Sequence, residues 1–136
     1  MTNKEDVALM AHLMRRAGFG ATPEELDRYV AMGYEATVDE LINPPDDIPS
    51  GKTALLLRYL PGALLPGGTP TPGQYNWMYH MITTQRPLVE KTALFWHHVF
   101  ATGNAKVDNC DQMLIQVDMF RKYGMGSYRE LLVQVA

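Results

Sequence analysis

EKTALFWHHVFATG, residues 90–103, decides how the chain is read. Its apolar residues do not alternate with polar ones, as a half-buried strand requires. Two histidines interrupt the run well short of the ~20 apolar residues that a membrane-spanning helix needs. Pro87, just upstream, suits a first helical position, so the segment predicts a helix from Pro87 to about Thr102. That helix is expected to bury Phe95, Trp96, Val99 and Phe100. Neighbouring side chains on a helix point about 100° apart. His97 is therefore expected inside, on the side of Glu90, Ala93, Leu94 and Ala101, with His98 more exposed. An imidazole buried without a partner costs about 1–3 kcal/mol, so His97 should also be hydrogen-bonded.

The same helical period continues on both sides of this segment. Val7, Met10, Leu13, Met14 and Ala17 recur at three- and four-residue steps, and Gly18 and Gly20 mark a stop and a turn. Thr22, Pro23 and Glu25 spell a capping box with proline at the first helical position. Leu26, Tyr29 and Val30 form the stripe of that helix, and Gly33 ends it. Val38, Leu41 and Ile42 face inward from a third helix, which Asn43-Pro44-Pro45 terminates. Further helices are expected from about Gln74 to Thr84, up to Tyr123 with an Asn109/Gln112 cap and a Gly124 stop, and from a Ser127/Glu130 box onward. Residues 43–73 are rich in proline and glycine and read as a surface excursion, with one short helix at Thr53–Leu60. The fold expected is all-α, an irregular multi-helix bundle. Residues 1–136 are read as the N-terminal helical fragment of one larger domain, because the last helix is expected to continue beyond RELLVQVA.

Composition narrows the function classes. The chain is 46% hydrophobic and 20% charged, which is ordinary globular usage, and its net charge of −3 offers no positive footprint for nucleic acid. Arg15-Arg16 and Arg121-Lys122, the adjacent basic pairs, are read as helix C-terminal residues that complement the helix dipole. The single cysteine, Cys110, excludes an internal disulfide. The N-terminal stretch lacks the basic-then-apolar order of a secretory signal, no transmembrane segment is visible, and localisation stays open.

Histidine is the residue type most able to carry chemistry here. Helical metal sites place two ligands at i and i+3 or i+4, and neither His97 nor His98 has a partner at those offsets. Glu90 shares a face with His97, but seven residues set them roughly 10 Å apart along the axis, too far for one ion. A metal site would need ligands from other helices, such as His80 or His12, or from residues outside this chain. Glu90 and His97 are thus the candidate catalytic pair, and His97, His98 and His80 the candidate metal ligands, set against a structural role for the histidines. His12 and Arg16, four apart, are read as a structural polar cluster, with Arg16 as an ion-pair strut. Tyr75, Trp77, Tyr79 and Trp96, with Met10, Met14, Met78 and Met81, are read as packing. No phosphate loop, nucleophile elbow or C-x-x-C motif occurs, and no cofactor is indicated.

HLMRRAGFGATPEEL (12–26) and GYEATVDELI (33–42) resemble the opening of a bacterial family known as domain of unknown function 1800. RPLVEKTALFWHHVFATGNAKV (86–107) is similar to that family's most recognisable signature, and Gln112 to Ala136 to the stretch after it. The resemblance implies an all-helical protein several times longer, whose members are often exported. It carries the polar positions Glu90, His97, Asn104 and Lys106, and the last two are taken as structural. The family often reads Trp-His-x-His-Phe. Here His97 falls on its first histidine and Val99 on its second. The function expected is that of a helical accessory or partner-binding protein, its partner the remainder of its own chain or another protein. The alternative is the N-terminal half of a metal-assisted hydrolase or redox enzyme, completed by C-terminal residues that are not in this chain.

Overall fold

The computed structural model describes residues 4–44, 58, 71–100, 102–107 and 109–136. Among them the chain is all-α: helices are joined by turns and no strand is formed. The helices are α1 (Lys4–Ala17), α2 (Pro23–Met32), α3 (Tyr34–Ile42), α4 (Thr71–Thr83), α5 (Pro87–Val99), α6 (Asn104–Val107), α7 (Cys110–Tyr123) and α8 (Tyr128–Val135). The expected helix at Thr53–Leu60, and most of the proline- and glycine-rich stretch, lie outside the described residues.

The local signals act as their chemistry requires, except at Ser127 and Gly124. Thr22 and Glu25 exchange both bonds of a capping box at the start of α2. Asn109 accepts from the backbone N–H groups of Asp111 and Gln112 and caps α7. Ser127 precedes α8 but makes no side-chain cap. The chain enters α8 through a turn closed by Gly126 N–H to the Tyr123 carbonyl at 3.0 Å, and the exposed Ser127 hydroxyl is free to meet water instead. α4 begins at Thr71, earlier than expected, and α5 ends at Val99, three residues short of Thr102.

Two apolar clusters form the core. Met10, Met14, Tyr29 and Leu41 unite α1, α2 and α3, with Leu88 of α5 packed against them. Ala93, Phe120 and Leu131 unite α5, α7 and α8, joined by Trp96, Phe100, Met119, Tyr123 and Val135. Helix α5 belongs to both clusters, and its pairing with α7 is the most extensive in the fold. The small, fully buried Ala93 lets that pair approach closely. Thr37, also fully buried, donates its hydroxyl to the Gly33 and Tyr29 carbonyls at 2.8 and 3.3 Å and ties α3 to α2. The turn between these helices rests on Gly33, whose φ of 91° suits glycine.

The buried face of α5 differs from the one expected. Val89, Glu90 and Ala93 are buried, whereas Phe95 and Val99 are 56% and 50% exposed. The close approach to α7 is centred on Ala93, and Phe95 and Val99 lie about 200° and 240° around the helix from it. Ile42 of α3 is likewise exposed, and Thr37 takes the inward position instead.

Gly124 ends α7 for a reason other than a left-handed cap. Its φ of −65° and ψ of −26° are helical. A Cβ there would meet the Phe120 carbonyl and lie 2.8 Å from Trp96 Cδ1. Trp96 also donates its indole N–H to the Gly124 carbonyl at 2.7 Å and stacks on Phe100 and Tyr128. Gly124→Ala is therefore expected to destabilise by about 1–3 kcal/mol through overpacking. Urea denaturation measures this, and an unchanged midpoint would contradict the close packing of Gly124 on Trp96.

Candidate functional site

The polar residues of α5 converge where α4, α5 and α7 meet. Glu90, 5% exposed, sits within an otherwise apolar stripe. Arg86, four residues back, makes no ion pair with it, and its partner comes from another helix. That partner is Arg121 of α7. Its Nε donates to Glu90 Oε1 at 2.7 Å and its Nη2 to Oε2 at 3.2 Å, a bidentate pairing. Trp77 of α4 adds an indole N–H to Oε2 at 3.0 Å. Arg121 also reaches Asp118, one turn back on α7, at 2.5 Å. Both oxygens of Glu90 accept bonds here, and protonating the carboxylate would remove the charge that answers Arg121.

Trp77 also explains how the two candidate catalytic residues relate. Its ring meets His97 edge to face at 5.0 Å and 87°, while its N–H holds Glu90. One indole thus fills the space between Glu90 and His97. On another side the His97 ring meets Phe120 at 6.5 Å. His97 is half-buried and His98 exposed, as helix geometry requires. The expected hydrogen bond on His97 is not found among the described residues, and Nδ1 is buried with no partner there. Aromatic neighbours supply edges and faces there, not acceptors. Burial pushes the His97 pKa below the usual histidine value, which keeps the ring neutral at pH 7.

The remaining candidates are dispersed. His97 and His98, though 100° apart on the helix, both line one wide pocket with Arg16 and Lys91. Arg16 is exposed and makes no ion pair among the described residues. The strut is Arg121, which the sequence suggested only as a helix-terminal cation. His12 lies exposed on α1, and His80 is half-buried in the last turn of α4. Lys106 is exposed on α6; Asn104 opens that helix, and its side chain is outside the described residues. Among the described residues no three or more His, Cys, Asp and Glu side chains come together as a metal-holding group. None of their helices is long and apolar enough to cross a membrane. Trp77 and Arg121 were not legible as site residues, although a lone glutamate in an apolar stripe was a signal that some distant cation had to exist.

The chain belongs to the family described as protein of unknown function (DUF1800), whose model matches residues 12–136. No curated protein and no solved structure matches it.

Two outcomes follow from this geometry. Arg121→Met leaves the Glu90 charge buried without its cation and should cost about 3–5 kcal/mol, while Glu90→Leu with Arg121→Met together should recover much of that loss. Equal, additive losses on thermal and urea denaturation would refute the coupling. The second outcome concerns pH. The unfolded chain holds the His97 proton up to pH 6.5, and the folded ring releases it at lower pH. Between those two values the unfolded state binds more protons, so stability falls as pH drops below about 6.5. His97→Gln should flatten that part of the pH–stability curve, and an unaltered slope would argue against a neutral, buried ring.

Proposed function

We propose that this chain acts as a helical accessory protein that binds a protein partner through an apolar face of α4. One observation carries this reading. Tyr75, Met78 and Ile82 are 52%, 55% and 76% exposed and follow one another at three- and four-residue steps. On an ideal helix they fall within about 60° of arc. Trp77 lies on the other side of α4, bonded to Glu90, so the helix is anchored with this stripe facing out. Solvated helices rarely keep three large apolar side chains in register without a surface to meet. The fitting partner offers a complementary apolar groove or helix, read at i, i+3 and i+7. The commitment of Glu90 to Arg121 supports a binding role over a catalytic one for the signature segment.

The test uses the full chain in its native cells, with a photo-crosslinking residue at position 78. A discrete crosslinked product is expected, and Ile82→Glu should abolish it. Ile82→Glu should change stability by no more than about 0.5 kcal/mol, since the site is open to water. Absence of a discrete product, or one indifferent to Ile82→Glu, would sink the proposal.

A further inference from the structure

The net charge of −3 hides a local reversal. A pocket of about 680 Å³ opens between α1 and the C-terminal half of α5. Arg16 enters it from α1 and Lys91 from α5, with the rings of His97 and His98 beside them. Leu94 and Phe95 form an apolar wall. Among the described residues no carboxylate belongs to its lining. The described ion pairs use Arg28 and Arg121, which leaves Arg16 and Lys91 without a carboxylate partner among the described residues. Lys91 instead holds its ammonium 5.1 Å from the centre of the Phe19 ring.

The ends of α1 and α5 offset part of this charge, because each helix C-terminus carries about −0.5 of an elementary charge. Two whole positive charges from Arg16 and Lys91 exceed that sum. They come from separate helices and meet at one opening, the arrangement that grips an oxyanion from two directions. Thr102 takes no part as a donor, since its hydroxyl proton already goes to the Phe100 carbonyl at 3.0 Å. His98 is exposed and can add an imidazole N–H. Phe95 is open to contact beside the charged groups, which favours an anion with an apolar body.

We propose that the pocket lined by Arg16, Lys91, His97 and His98 binds a small organic oxyanion of the phosphate-monoester type. The two fixed cations hold the phosphoryl oxygens, and Leu94 with Phe95 packs the organic part. The site is separate from the α4 stripe and does not depend on it.

The experiment is an NMR titration of the His97 and His98 ring signals in the whole chain, with inorganic phosphate and with phenyl phosphate. Saturable shifts are expected with both, and phenyl phosphate should bind more tightly because it adds contact with Phe95. Arg16→Gln and Lys91→Gln should each weaken binding about tenfold or more, the loss expected when one charged hydrogen bond is removed. His12→Gln, on exposed α1 surface outside the pocket lining, should bind as the parent does. Circular dichroism checks that the variants fold, and because Arg16 and Lys91 lie on different helices, either variant alone suffices. Co-sedimentation with anionic phospholipid vesicles separates the two sources of such a group. Capture that Arg16→Gln abolishes assigns a lipid headgroup, and binding of soluble phenyl phosphate without vesicle capture assigns a free ester. No saturable shift with either phosphate probe, or affinity equal to the parent's in both variants, overturns the proposal.

Discussion

A carboxylate taken out of water needs its charge answered, and the arrangement of α4, α5 and α7 depends on how Glu90 is answered. Burial of an ion costs several kcal/mol even after relaxation, and only close, well-directed donors offset it. Arg121 supplies two and Trp77 a third. These bonds have direction, unlike apolar contacts, so they fix the register of α5 against α7 and the rotation of α4 about its own axis. Ala93 and Phe120, buried in one apolar cluster between α5 and α7, supply the non-directional part of the contact between these helices.

Placing the charge pair inside the helix junction has consequences at the surface. Because Trp77 is drawn inward, Tyr75, Met78 and Ile82 are turned outward. Arg121 is taken up by Glu90 and Asp118, whereas Arg16 and Lys91, which line the pocket, have no carboxylate partner among the described residues. His97 stands between the two environments. One nitrogen is buried near Trp77, and the ring also borders the cationic pocket. A neutral, half-buried ring in that position can respond to what enters the pocket without carrying a permanent charge into the core.

Helix α5 links the two apolar clusters, through Leu88 at one end and Ala93, Trp96 and Phe100 at the other. This explains why the most distinctive segment of the sequence is dense in residue types that pack at short range. Alanine permits close approach, tryptophan pairs a large apolar face with one N–H, and glutamate needs a specific partner. Its histidines then occupy the border of that packing, where helix geometry allows one to be half-buried and the other open.

The sequence by itself determined the helices and most of their ends. Periodicity, the Thr22–Glu25 capping box, the Asn109 cap and Gly33 are local signals, and local hydrogen bonds and dihedral preferences act on them directly. The separation of Glu90 from His97 was also legible, because rise per residue is fixed. Tertiary structure alone decided which face of α5 is buried, since an apolar residue such as Phe95 or Val99 fits either side until a neighbouring helix chooses. It decided that Gly124 serves contact with Trp96 and not a left-handed turn. It also decided that Arg121, thirty-one residues away, answers Glu90, while Arg16 has no ion-pair partner among the described residues. The physical reason is the same in each case: a side chain's partner across the fold is set by which helices meet, and no local spacing in the chain encodes that meeting.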